Sequence, residues 1–178
     1  MSTVTIKLLP CNEQEHAAPL LEILNEAIVN STAIYDYHPR ALDSMISWFA
    51  QKRARRFPVI GAMDPNRVLV GFSTYGNFRA WPAYKYSVEH SVYVHKDHRG
   101  KGIGGLLLRE LIGIAQSQDM HIMLGGIDAT NQASIALHER QGFVHAGTIR
   151  HAGFKFGRWL DLTFYQLILR TPSAPVDD

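Results

Sequence analysis

The chain has 178 residues, 46% of them hydrophobic and 19% charged, a balance that fits one globular domain with a sizeable core and excludes a disordered chain. The net charge of +2 is too small to argue for a nucleic-acid partner, and a single cysteine, Cys11, excludes an intrachain disulfide and a cysteine-rich zinc site. No run is long and apolar enough to span a bilayer, and the first residues lack a basic segment followed by an apolar one, so the expectation is a cytoplasmic protein with no membrane partner.

Val4, Ile6 and Leu8 alternate with Thr5 and Lys7 and predict a first strand. Leu20, Leu21, Leu24, Ala27 and Ile28 recur at helical spacing, and Asn30-Ser31-Thr32 ends that helix. A loop with tyrosines and a proline runs to Arg40. Leu42, Met45, Ile46 and Phe49 then predict a second helix. Lys52, Arg53, Arg55 and Arg56 near its end read as a solvated face that suits a helix C-terminus, with contact to a cofactor phosphate as the minor reading. Residues 58–63 and 67–75 read as a hairpin turned by Asp64-Pro65-Asn66. After an irregular aromatic stretch at 78–82, a strand runs to Val94 and a glycine-rich turn opens a helix carrying Leu106, Leu107, Leu111, Ile114 and Ala115. Residues 121–127 predict a buried strand. Residues 131–141 predict a helix stopped at Gly142 in the left-handed conformation. Strands follow from Val144 and over 159–169, and the polar tail 171–178, with two prolines, is expected to fray. No repeat or linker interrupts this order, so residues 1–170 are expected to form one domain. An early hairpin followed by strand–helix–strand units predicts an α/β sheet covered by helices, with ligands at the carboxyl end of a central strand.

The chemistry gathers around that glycine turn. A strand that leads through Arg99-Gly100-Lys101-Gly102 into a helix is an anion site, because unpaired N–H groups and the positive end of the helix dipole converge there. Gly100-x-Gly102-x-x-Gly105 formally matches a dinucleotide fingerprint, but a mixed sheet precedes it where such a unit would open its domain. It is not a P-loop, since Lys101 is followed by Gly102 and not by Ser or Thr. Glu89 lies upstream on the strand, either as a proton acceptor or as a strand glutamate paired to a cation. Arg79 has a planar fork suited to a carboxylate, or is a surface arginine. Asn131 suits a helix N-cap. Cys11 is remote in sequence and a poor candidate for a nucleophile, and no histidine has H-E-x-x-H spacing, so no metal is expected.

Val92-Tyr93-Val94 followed by His98-Arg99-Gly100-Lys101-Gly102-Ile103-Gly104 resembles the acetyl-CoA-binding motif of the GNAT N-acetyltransferases, Q/R-x-x-G-x-G/A, with Arg99, Gly102 and Gly104 in its defining positions. The segment 31–39, Asn77-Phe78-Arg79, the segment 89–94, Asn131-x-x-Ser134-x-x-Leu137-His138-Glu139, Gly142-Phe143 and Lys155-Phe156-Gly157-Arg158-Trp159-Leu160-Asp161 are together similar to the phosphinothricin and methionine sulfoximine branch. The resemblance runs from the first strand to Leu169, nearly the whole chain.

It implies a GNAT fold, a mixed and mostly antiparallel central sheet flanked by helices in a single domain. It further implies transfer of the acetyl group of acetyl-CoA to the α-amine of a small amino-acid-like substrate in a ternary complex. The pyrophosphate would lie on Arg99, Gly100, Lys101, Gly102, Ile103, Gly104 and Gly105. The pantetheine arm would pair with Val92, Tyr93 and Val94, one amide of which would polarise the thioester carbonyl. Asn131 and Ser134 would also reach coenzyme A. Glu89 would be the general base. Arg79, Ala80, Trp81, His90, Ser91, Tyr35 and Phe78, with Glu89, would surround the substrate, and Trp159 would add to the aromatic wall. His138 stands where many relatives carry a tyrosine that protonates the leaving thiolate, and would be the candidate acid. A homodimer is implied, with Lys155 and Arg158 serving the fold or a subunit contact. Acetylation of a protein N-terminus or an aminoglycoside, a non-catalytic coenzyme A or nucleotide module, and a nicotinamide oxidoreductase are the alternatives.

Overall fold

The computed structural model describes residues 5–177; Val4, counted above in the first strand, lies outside them. The elements are β1 (Lys7–Pro10), α1 (Glu13–Asn30), α2 (Ser44–Ala54), β2 (Val59–Met63), β3 (Leu69–Asn77), β4 (Ser87–Val94), α3 (Ile103–Ser117), β5 (Ile122–Asp128), α4 (Gln132–Arg140), β6 (Val144–Lys155) and β7 (Arg158–Ile168). The strands hydrogen-bond in the order β1-β2-β3-β4-β5-β7-β6. β4 and β5 are parallel, whereas β1–β2, β2–β3, β5–β7 and β6–β7 are antiparallel. This is the mixed, mostly antiparallel α/β sheet expected. Contacts group the chain into two units, residues 1–74 with 92–111 and residues 75–91 with 112–178.

In the first unit α1 starts at Asn12, whose Oδ1 accepts the Glu15 N–H at 2.8 Å, the standard way to satisfy an orphan first-turn donor. Leu20, Leu21, Ile23, Leu24, Ala27 and Ile28 of α1 are buried with Met45 and Phe49 of α2 and with Val59, Leu69 and Phe72. Each large apolar side chain so removed from water contributes about 1.5–3 kcal/mol. Leu42 and Ile46, expected on the buried face of the second helix, are 54% and 58% exposed. The helix begins only at Ser44, and Met45 and Phe49, one turn apart, are its buried residues, with Trp48 packed partly against the same core. Of the basic cluster, Arg53, Arg55 and Arg56 are exposed as expected, and Lys52 departs from a solvated face. Lys52 is half-buried, its Nζ 5.3 Å from the Trp48 ring centroid and 5.7 Å from that of Phe57, and burial pulls its pKa down to about 8. Arg53 pairs with Glu13 at 3.1 Å. The β2–β3 hairpin has the expected turn, with Asp64 Oδ1 accepting the N–H groups of Asn66 and Val68 at 2.9 and 2.8 Å.

The second unit is built on β5, β7 and β6. The β6–β7 hairpin turns on Phe156 (φ +52°) and Gly157 (φ +71°), the two positive dihedrals of a type I′ turn. α4 is capped by Asn131, whose Oδ1 accepts the Ser134 N–H at 3.1 Å, and ends before Gly142 at φ +88°, as predicted. α3, which belongs to the first unit as far as Leu111, buries Ile103, Leu107, Leu108, Leu111 and Ala115, while Leu106 is 40% exposed. The stripe repeats every four residues from Ile103, which turns Leu106 outward. The described end of the tail is tied down where fraying was expected. The Tyr86 hydroxyl accepts the Val176 N–H at 3.2 Å and donates to its carbonyl at 3.3 Å, and Lys85 Nζ donates to the Asp177 carbonyl.

Candidate active site

β4 alternates two environments. Val88 and His90 are buried, and Glu89 and Ser91 between and after them are half-buried, as period-two geometry requires. Its pairing with β5 runs from Ser87–Ile122 to Glu89–Leu124, and Gly125 and Gly126 follow on β5. A Cβ on Gly126 would lie 3.0 Å from Glu89 Oε1, and a Cβ on Gly125 would lie 2.7 Å from His138 Nε2 and 2.9 Å from His90 Nε2. The glycine pair thus makes room for the carboxylate on one face and for two histidines on the other. In the sequence, only the doublet inside a buried strand signals such a close approach.

Burial raises the Glu89 carboxyl above the ordinary carboxylate value, and the Arg79 guanidinium offsets part of that rise. A carboxyl held this way is a stronger proton acceptor once ionised. Arg79 is exposed and its guanidinium lies 4.7 Å from the Phe78 ring centroid. Phe78 meets Tyr84 at 5.7 Å and Phe164 at 6.3 Å. Ala80 and Trp81 follow on an open segment, Trp81 being 68% exposed. Trp159 is not among these residues. It is 58% exposed and stacks on His151 of its own hairpin at 5.8 Å.

His90 and His138 form a buried stacked pair, ring centroids 4.9 Å apart at 23°, with Phe143 edge-on to both. Their hydrogen bonds fix the neutral tautomers. His138 Nδ1 lies 2.7 Å from the Ser134 carbonyl, which only accepts, so Nδ1 carries the hydrogen. Its Nε2 is then an acceptor and takes the N–H of His90 Nε2 at 3.0 Å. His90 Nδ1 is left as a bare acceptor, buried and without a hydrogen-bond partner among the described residues. Burial, and His138 second, push the His90 pKa down to about 3. Burial also lowers that of His138, opposed by the hydrogen bond it donates to the Ser134 carbonyl. Both ring nitrogens of the expected acid are therefore engaged.

In the other unit lie Tyr35, Val92, Tyr93, Val94 and the turn from Arg99 to Gly105. The Tyr35 hydroxyl is buried, and Tyr93 packs on Phe72 at 5.3 Å. Gly100 and Gly102 stand at φ +75° and +81°, and a Cβ on either would meet no atom within 4 Å. The dihedrals explain the glycines, and the space before them is open to a ligand. α3 begins immediately after, so its first N–H groups and dipole face the turn. An open, glycine-lined helix start is a fit for a phosphate. Arg99 donates from Nε to the Val94 carbonyl at 3.0 Å and pairs through Nη2 with Glu26 of α1. Lys101 Nζ donates to the Asp97 carbonyl at 2.9 Å. Arg158 belongs to the fold, for it donates to Asp128 Oδ2 at 3.1 Å, whose side chain is 1% exposed. Lys155 is 3% exposed with Nζ 5.0 Å from the Phe156 ring centroid. The described residues hold no group of three or more metal-ligating side chains and no helix long and apolar enough to cross a membrane.

Residues 20–143 match the model of the acetyltransferase (GNAT) family. An L-methionine sulfoximine/L-methionine sulfone acetyltransferase of Pseudomonas aeruginosa is 44% identical over 157 residues, 88% of this chain and 91% of the other. A solved structure from Acinetobacter baylyi is 57% identical, covers 100% of this chain and 99% of its own, and superposes with a TM-score of 0.98. The phosphinothricin acetyltransferase of Sinorhizobium meliloti, solved in complex with acetyl-CoA, is 33% identical over 96% of this chain and 92% of its own, with a TM-score of 0.89.

Proposed function

The chain belongs to the GNAT acetyltransferase family, and from that premise we propose that it acetylates the α-amine of a small amino acid or analogue with acetyl-CoA. Phosphinothricin, methionine sulfoximine and methionine sulfone, the substrates in the names of its relatives, define the class. The observation that carries this reading is Glu89, a half-buried carboxyl of raised pKa on the strand that continues to the open glycine turn.

Acetyl-CoA supplies an acyl group activated as a thioester. Glu89 takes a proton from the substrate ammonium, directly or through a water, so that the nitrogen can attack the thioester carbonyl; the C–N bond forms, the nitrogen loses its second proton to solvent, and the C–S bond breaks with departure of the thiolate. A backbone N–H of the 92–94 segment stabilises the negative charge that develops on the carbonyl oxygen. Arg79 holds the substrate carboxylate with its planar fork, and Phe78, Ala80, Trp81, His90, Ser91 and Tyr35 complete the substrate surroundings. The phosphates rest on residues 99–105, chiefly on backbone N–H groups. Asn131 contributes its amide to coenzyme A beside its role as helix cap, and Ser134 adjoins it. His138 takes no acid role, since its Nδ1–H and Nε2 are both engaged. The thiolate takes its proton from solvent, as a thiol of ordinary pKa, about 8.5 for cysteine, allows. The exposed apolar residues of the β6–β7 hairpin, Ile149, Phe154, Phe156 and Trp159, support association of two copies, which light scattering tests.

The deciding experiment follows thiol release from acetyl-CoA over a panel of amino acids. Glu89→Gln is expected to lose at least about a hundredfold in kcat, the usual share of a general base, while acetyl-CoA binding persists. Arg79→Ala is expected to raise KM for substrates bearing a carboxylate. Wild-type rates in Glu89→Gln would remove Glu89 from the reaction, and coenzyme A binding without turnover on any amine would make the chain a binding module.

A further inference from the structure

We propose that Glu26 sets how tightly this protein holds coenzyme A, by neutralising Arg99 and so weakening the pull of the glycine turn on the phosphates. The inference rests on the reading of residues 99–105 as the phosphate cradle. Arg99 opens that turn, yet its guanidinium is committed within the protein, Nε to the Val94 carbonyl and Nη2 to Glu26 Oε2. The carboxylate is 17% exposed and Arg99 50% exposed, so Glu26 is the more buried partner of the pair. Helix stability does not explain it. Glu26 stands near the C-terminal end of α1, whose last turn has no basic residue, where the macrodipole gives a carboxylate no support. The second cation of the turn, Lys101, is tied to a neutral carbonyl, so Glu26 acts on the turn through Arg99.

Coenzyme A carries several phosphate charges. A fixed carboxylate beside their cradle raises the energy of the bound state and leaves the guanidinium unable to turn to the ligand without breaking its pair. Removing the charge while keeping the hydrogen-bonding shape reverses both effects. A transferase must also let coenzyme A go after each turnover, and a weakened hold on the phosphates serves that release.

The test is calorimetric titration of coenzyme A into the wild type, Glu26→Gln, Glu26→Asp, Arg99→Gln and the Glu26→Gln/Arg99→Gln double variant, at low and high salt, with melting curves for each. Glu26→Gln is expected to bind coenzyme A roughly three- to tenfold more tightly at low salt, a gain that shrinks at high salt as charge effects are screened. Glu26→Asp, which keeps the charge, should bind like the wild type, and the gain should be absent in the double variant. Unchanged or weaker binding by a folded Glu26→Gln overturns the proposal and makes Glu26 a strut for the turn. The same gain in Glu26→Asp overturns it too, because charge would not be the cause. If the wild type itself does not bind coenzyme A, the reading of the turn fails and this inference with it.

Discussion

At Glu89 the native fold holds a carboxyl whose ionisation burial opposes and Arg79 only partly restores. A carboxyl raised in the folded state contributes its stability below the ordinary value, 4.5, and that contribution is lost as pH rises through the folded value. At neutral pH the charged group therefore destabilises the protein that uses it. Glu89→Gln, which keeps the shape and removes the ionisation, is expected to melt higher than the wild type at pH 8. The difference should shrink toward pH 4, where the carboxyl is protonated in both states. Differential scanning calorimetry at the two pH values checks it, and a lower melting temperature at pH 8 would contradict the burial argument. Glu89 and Arg79 stood out in the sequence through the family motifs that contain them, since a strand glutamate and an exposed arginine have ordinary structural uses, whereas the glycines of the turn stood out by their spacing before a helix. The pairing of His90 with His138 could not, since it joins positions 48 apart that periodicity does not connect.

Among the elements, β5 shows most clearly what a one-dimensional pattern conveys and what it does not. Its burial was foreseeable from the apolar run, and the turns at Asp64 and Gly142 from their chemistry. The phase of the helices was less secure, as Leu42, Ile46 and Leu106 show, because an apolar residue at an element's edge fits the pattern without reaching the core. The function of Gly125 and Gly126 depends on what stands opposite, and β4 and α4 supply that from elsewhere in the chain. Two alanine substitutions separate the faces. In Gly125→Ala the new methyl meets two ring nitrogens inside 3.0 Å, and overpacking of this kind costs about 1–3 kcal/mol; the melting temperature should fall accordingly. In Gly126→Ala the contacts are the far ends of the Glu89 and Leu162 side chains, at 3.0 and 3.3 Å, which can swing aside. Stability should be nearly kept while kcat falls. Equal melting temperatures for the two variants would show that the histidine pair has room to yield.

For the whole molecule, acid response follows from the buried neutral histidines. The unfolded chain protonates His90 near 6.5 and the folded chain only near 3, so between these values the unfolded state binds more protons. Stability from this site is complete above about pH 6.5 and is lost as pH falls toward 3; His138, lowered in the same direction, adds to the slope. Melting temperature measured from pH 7.5 to 5 should drop, and a His90→Phe/His138→Phe double variant should flatten that drop if it folds. An unchanged slope in the folded variant would place the acid sensitivity elsewhere. The tail carries a different consequence for the molecule as a whole. Residues 176 and 177 hang from Tyr86 and Lys85, the two residues immediately before β4. The tail is thus anchored to the residues that lead into the strand bearing Glu89, so comparing kcat with and without a C-terminal tag belongs among the first controls on any rate.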